Sequence, residues 1–219
     1  LGVTFTKVIT FNPTKAMQDL KTNLEALSSK PLLKVDQKFL TLNSSICPSL
    51  IYNFQTVPLD QIPLKFLKDA DKMIKCTLKE ILQLPSDLPD SMIYSLKKYK
   101  GLGLFKSQWE AILQQINALH TLQMANNTYI LNTRNLIVES SACLSKLHLP
   151  QTDNLLHTRD SVLDSRKIRS TLRDLEFQIW CGLPQKGKGV ILFSEHSPAN
   201  RWVTNHKGLS CSEWRDALK

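Results

Sequence analysis

The sequence predicts a mainly α fold: a helical bundle with a short β hairpin at its N-terminus and a small, partly β region at its C-terminus. Three observations carry this. Apolar residues recur at helical spacing through most of the first 120 positions, most clearly in residues 64–84. The first eleven residues alternate instead. Glycine is scarce, seven in 219 residues, and two of the seven sit together in KGLGL, so proline pairs and one glycine corner mark the breaks.

LGVTFTKVITF is rich in Thr, Val, Ile and Phe, as a hairpin or a pair of edge strands would be, and Asn12-Pro13 ends it. From Thr14 the period changes. Met17, Leu20, Leu24 and Leu27 fall at helical spacing, and Ser28-Ser29 followed by Pro31 closes one helix and opens a second. The second carries Leu33, Phe39, Leu40, Leu42 and Ile46 until Pro48 bends or breaks it; residues 50–54 extend the pattern.

Residues 64–84 give the clearest helix. At 100° per residue Leu67, Ala70, Ile74, Leu78 and Ile81 fall within an arc of about 80°, a single core-facing stripe. Lys68, Lys72, Lys75 and Lys79 fall within about 60° of one another on a separate arc. Asp69 and Asp71 point about 200° apart and so cannot chelate one metal; both read as surface charges. Leu84-Pro85 and Leu88-Pro89 then start a connector. Ser107-Gln-Trp-Glu110 reads as a capping box ahead of a fourth helix with Trp109, Ile112, Leu113, Ile116 and Leu119 on its apolar stripe. Weaker helical patterns occupy residues 132–147 and 159–180. GKGVILF reads as a short strand, and SCSEWRDALK as a helix cut short.

Lys and Arg outnumber Asp and Glu by 28 to 19, for a net charge of +9 and a pI near 9.3. This balance suits a polyanionic partner. Lys30, Lys34 and Lys38 recur every fourth position along the second predicted helix. Lys97, Lys98 and Lys100 surround Tyr99, and Arg166, Lys167, Arg169 and Arg173 cluster on another helical segment. Lys186 and Lys188 flank Gly187. Clusters of this kind neutralise phosphates with little regard to sequence, and Tyr99 and Trp109 offer faces for base stacking. The competing account is a solvated face for the cations and a core position for Trp109.

Signatures of catalysis are missing: the sequence holds no G-x-S-x-G, P-loop or H-E-x-x-H. Five scattered cysteines form no C-x-x-C pair, and Cys181, His196, His206 and Cys211 are too widely spaced to seed a zinc site. No cofactor is expected in this chain. The cysteine usage and the absence of a long apolar run predict an intracellular protein without a membrane partner. Leu1 in place of Met and the short last segment suggest a piece of something longer.

In order along the chain, LGVTF, KPLLKVDQKFLTLNSSICPSLIYNF, LKDADKMIKCTLKEILQLPSDLPDSMIYS, KGLGL and SPANRWVTNHKGLSCSEWRDALK resemble the region after the polymerase palm in polyproteins of non-LTR (LINE-like) retrotransposons. The similarity is to the site-specific kind that ends in a restriction-like endonuclease, and its most specific part is the D-x-x-I-K helix, the L-P-x-D-x-P turn and the later G-L-G-L.

The resemblance implies that residues 1–13 end the reverse transcriptase palm, with Leu1, Gly2 and Val3 close to the primer terminus. It makes residues 14–104 a helical thumb and 105–219 the linker before a zinc knuckle and endonuclease. The catalytic aspartates of the RNA-directed DNA polymerase would lie upstream, and magnesium would serve that parent enzyme rather than this piece. The implied partners are RNA and DNA as a template-primer duplex, in the nucleus, with Lys34, Lys38, Lys68, Lys72, Lys75, Lys79, the 97–100 cluster and the 166–173 cluster as phosphate contacts. A different class of reading is a non-catalytic helical module, derived from a decayed or domesticated retroelement, that binds protein.

Overall fold

The computed structural model describes residues 3–5, 9–99, 101–124 and 165–184, and these are mainly helical. The residue patterns 132–147, 187–193 and 210–219 lie outside them. Val3–Phe5 (β1) and Ile9–Phe11 (β2) pair antiparallel, with Val3 opposite Phe11 and Phe5 opposite Ile9. The turn that would join them falls at residues 6–8, outside the described residues.

Helix α1 (Pro13–Ser28) starts where the sequence changes period. The Asn12 side chain accepts from the Lys15 N–H at 3.0 Å, and Pro13 occupies a first-turn position that needs no donor. Its buried stripe is Ala16, Leu20, Leu24 and Leu27, and it packs on α4 (Leu64–Ile81). In α4 all five residues expected at the core are buried. The helix stops at Ile81, three residues earlier than the pattern suggests, because Gln83 takes a left-handed φ of 50°. Its N–H reaches Glu80 O at 3.1 Å and the Leu84 N–H reaches Lys79 O at 2.8 Å, a Schellman closure.

The second predicted helix is broken differently from its apolar pattern. Helix α2 covers only Val35–Thr41; a π turn, Leu42–Ile46, follows; and α3 runs Ser49–Thr56. Pro48 has no N–H to give to the carbonyl four residues back, and the Cys47 N–H bonds five residues back, to Leu42 O at 2.9 Å. Lys30 and Lys34 therefore precede the helix instead of lining it, and Leu40 is 65 % exposed rather than core.

Helix α5 (Asp90–Tyr94) is followed by the glycine corner. The Leu102 and Leu104 N–H groups bond to Met92 O and Ile93 O at 3.1 and 3.0 Å, so GLGL runs back along α5. Gly103 has φ +63°, and a Cβ on Gly101 would fall on the Ser95 carbonyl. One glycine supplies a positive φ and the other a close backbone approach. Helices α6 (Ser107–Met124) and α7 (Ser165–Cys181) complete the body: α6 packs on α3 and α4, and α7 on α5 and α6.

The start of α6 corrects two expectations. Asp71 is buried, not a surface charge: its Oδ1 accepts from the Ser107 N–H at 2.5 Å and its Oδ2 from Gln108 N and Nε2 at 3.2 and 3.0 Å. A side chain 36 residues away thus caps the helix. The predicted Ser107–Glu110 capping box does not form; Ser107 Oγ is buried without a partner, and Glu110 is bound by Arg169.

Candidate nucleic-acid interface

Helix α4 carries the predicted lysine row on the side away from its core stripe. Lys68 and Lys72 are exposed, and Lys65, three residues before the row expected, joins them within an arc of about 60°. Lys68 stands on the lip of a cleft of about 810 Å3 between α4, α6 and α7 whose walls include Leu67, Trp109, Ile112 and Leu172. The other two lysines bind protein. Lys75 pairs with Asp90 at 2.5 Å, and Lys79 Nζ donates to Ser86 O and Leu88 O at 2.7 and 3.1 Å. They tether the proline-rich connector to α4.

The remaining predicted cations divide the same way. Lys34 is exposed, and its backbone N–H donates to Gln37 Oε1 at 2.9 Å; Lys38 Nζ donates to Ser28 O at 3.4 Å. Lys97 lies over the Phe39 ring, 5.1 Å from its centroid. Lys98 sits 4.4 Å from the Tyr99 ring and 3.6 Å from Asp174; its interaction with the Tyr99 side chain raises its pKa above the ordinary lysine value, desolvation works against this, and Asp174 adds to the rise. Tyr99 stacks on Phe177 with centroids 4.1 Å apart, so that face is occupied by protein. Trp109 is buried in the core.

Of the predicted cations on α7 only Arg166 and Lys167, in its first turn, are exposed. Arg169 clasps Glu110 through two bonds, Nε to Oε1 at 2.5 Å and Nη2 to Oε2 at 2.8 Å. Arg173 lies against Gly103 and donates to Leu104 O at 3.4 Å. Burial pulls its pKa below the ordinary arginine value, partly offset by Glu110. The α7 cluster is therefore largely a docking device. Lys100, Leu1 and Gly2 lie outside the described residues; Val3 is in β1.

Sequence reasoning did not single out Lys106, which bonds Glu176 at 2.9 Å and lies over the rings of Tyr94 and Trp109 at 4.7 and 4.3 Å. For Asp71 a signal existed: it falls only about 20° beyond Leu78 on the helical wheel, at the margin of the core stripe. Among the described residues no group of three His, Cys, Asp or Glu side chains could hold a metal, and no helix is long and apolar enough to cross a membrane. His196, His206 and Cys211 lie outside the described residues.

The fold and the cations define a basic helical body with an exposed lysine row of its own and a second set of cations spent on packing. Comparison with known proteins identifies its relatives. The homologues of this chain are Pol polyproteins of R2 non-LTR retrotransposable elements. It is 26 % identical, over its full length, to the Retrovirus-related Pol polyprotein from type-2 retrotransposable element R2DM of Drosophila melanogaster, of which it spans 19 %. Two Retrovirus-related Pol polyproteins from type-1 retrotransposable element R2 of Popillia japonica are 32 % identical, over 43 % and 39 % of this chain and 13 % and 17 % of their own lengths. No protein-family model matches the chain, and no solved structure does.

Proposed function

We propose that this chain is the template-primer-binding thumb and linker portion of a retrotransposon RNA-directed DNA polymerase, holding the RNA/DNA duplex while catalysis is supplied elsewhere in the polyprotein. The observation that carries the reading is the exposed Lys65, Lys68 and Lys72 row on the most strongly amphipathic of the described helices, in a chain whose full length aligns with a retrotransposon Pol polyprotein. In this reading β1 and β2 form the hairpin that ends the palm, residues 14–104 the thumb, and the parent enzyme uses magnesium and works in the nucleus.

A row of ammonium groups on a rigid helix contacts phosphates one turn apart without reading bases, as a polymerase grip requires. An A-like heteroduplex offers phosphates and 2′-hydroxyl groups to such a grip. Lys75 and Lys79 are poor test positions, since changing them would release the connector from α4. Lys68 and Lys72 are better.

The double change Lys68→Glu with Lys72→Glu should weaken binding to RNA/DNA hybrids of unrelated sequence by about tenfold or more at low salt. It should also reduce the slope of log affinity against log salt by about two. Fluorescence anisotropy over a salt series measures both, and an unchanged affinity would sink the assignment. The competing protein-interaction module draws on Leu64 and Ile179, 59 % and 58 % exposed beside the large cleft. It predicts no hybrid binding in the unmodified chain either.

A further inference from the structure

The cleft of about 810 Å3 between α4, α6 and α7 falls in the roughly 300–1,000 Å3 range of ligand pockets, yet its lining is mainly aliphatic. Leu59, Ile62, Leu67, Ile112, Leu172 and Leu175 are among the side chains that form it. Its lip is apolar as well: Leu64 of α4 and Ile179 of α7 are 59 % and 58 % exposed, one on each of two bordering helices. Large apolar side chains left open together at a concave site mark a place where another molecule sits.

The polar groups decide what kind of molecule that is. Lys106 and Glu176 neutralise each other at 2.9 Å, and the Gln108 amide nitrogen is bonded to Asp71 Oδ2 at 3.0 Å, so little inside is left to read a hydrogen-bonding ligand. The one aromatic ring among the described lining residues, Trp109, is buried with Lys106 Nζ over it at 4.3 Å, and gives no open face to a base. Lys68 stands exposed at the lip, with Lys65 and Lys72 on the same side of α4. An apolar groove bordered by cations on one side is complementary to a helix with an apolar face and an acidic flank.

We propose that this cleft docks an acidic amphipathic helix of a protein partner, with its large apolar side chains between Leu64 and Ile179 and its carboxylates along Lys65, Lys68 and Lys72. Burial of the apolar stripe supplies the affinity, while the lysines set the orientation and exclude basic helices. A nucleic acid strand would satisfy the lysines but leave the apolar lip in water. The inference goes beyond the polymerase reading and does not rest on it. Because Lys68 borders both surfaces, a docked helix and a hybrid compete for it.

The test is fluorescence anisotropy of the full chain with a labelled synthetic helix of about 15 residues, its leucines on one stripe and glutamates on the flanks. Saturable binding is expected, with a dissociation constant on the order of 10 micromolar. Leu64→Gln with Ile179→Gln should weaken it by about tenfold or more, and Lys65→Gln with Lys68→Gln by about fivefold, the latter less at high salt. All four side chains are exposed, so both variants should keep the circular dichroism of the unmodified chain. The Leu64 and Ile179 variant should also keep its affinity for an RNA/DNA hybrid. If the unmodified chain binds no hybrid, the polymerase reading fails while the peptide measurements still decide this one. Equal binding of a peptide with lysines in place of the glutamates, or of one with the leucines scrambled, would overturn the proposal, as would no binding at all. Loss of hybrid or single-stranded RNA affinity in the Leu64 and Ile179 variant would overturn it in favour of a nucleic acid. A dimer in sedimentation that the same variant dissociates would overturn it in favour of a second copy of the chain.

Discussion

At the scale of single residues, the glycine corner shows how much a missing Cβ decides. On Gly101 the obstacle is the Ser95 backbone itself, which cannot move without displacing the run of hydrogen bonds from Gly101 to Leu104. On Gly103 the nearest obstacle is Arg173 Nη1 at 2.9 Å, the end of a flexible side chain, together with a φ of +63°. Gly101→Ala should therefore cost about 3 kcal/mol, at the upper end of overpacking penalties, and Gly103→Ala only about 1–2 kcal/mol. Urea denaturation of the two variants checks the order; a larger loss for Gly103→Ala would mean that the corner is held by its dihedral rather than by contact. The need for glycine here was legible from KGLGL alone. The wheel position of Asp71 at the margin of the core stripe hinted at its burial, but its capping role was not legible, because its three donors come from residues 107 and 108, and local sequence does not show which distant N–H groups lack a partner.

At the scale of elements, α4 was legible and the α2–α3 segment was not. An amphipathic stripe repeats one physical requirement every three or four residues, so five core positions of α4 could be read directly, though not buried Phe66 at the edge of the stripe. Between residues 35 and 56 the same periodicity runs through Pro48, and only the rewinding of the backbone ahead of the proline splits it into two helices and a π turn. The lysines of α4 and the arginines of α7 were read as one kind of feature. The structure sorts them by what lies opposite: water for Lys68 and Lys72, carboxylates or carbonyls for Lys75, Lys79, Arg169 and Arg173.

The attachment of α7 makes a prediction at this scale. Besides buried Ile168, Leu172 and Trp180, it relies on the two-bonded Arg169–Glu110 pair, whose Glu110 side chain is 7 % exposed. Glu110→Gln keeps the shape but removes the charge opposite the guanidinium. Discounting the cost of breaking a buried pair for the 28 % exposure of Arg169 leaves about 2 kcal/mol. Hydrogen exchange should report it locally, with α7 amides losing roughly thirtyfold in protection and α4 amides unchanged. A uniform loss across both helices would show that the pair supports the whole fold rather than the docking of one helix.

At the scale of the whole molecule, the same apolar core runs across the boundary that the resemblance sets at residue 104. Trp109, Ile112, Leu113 and Ile116 of α6 are buried with Leu50 and Phe54 of α3 and Ile74 of α4, and Gln115 Nε2 donates to the carbonyls of Phe54 and Val57. Glycine-proline punctuation marks a corner in the chain, but a corner is not the edge of a core. Each large apolar side chain fully buried contributes about 1.5–3 kcal/mol, so the four from α6 represent roughly 6–12 kcal/mol. A domain's net stability is about 5–15 kcal/mol, so their loss is comparable to all of it. A piece ending at Leu104 should accordingly keep helical far-UV circular dichroism but lose its cooperative melt and bind a hydrophobic dye, while the 219-residue chain melts in one transition. Should the short piece melt cooperatively at a similar temperature, residues 14–104 would be an independent unit, and the packing of α6 against α3 would be an interface between domains instead of a shared core.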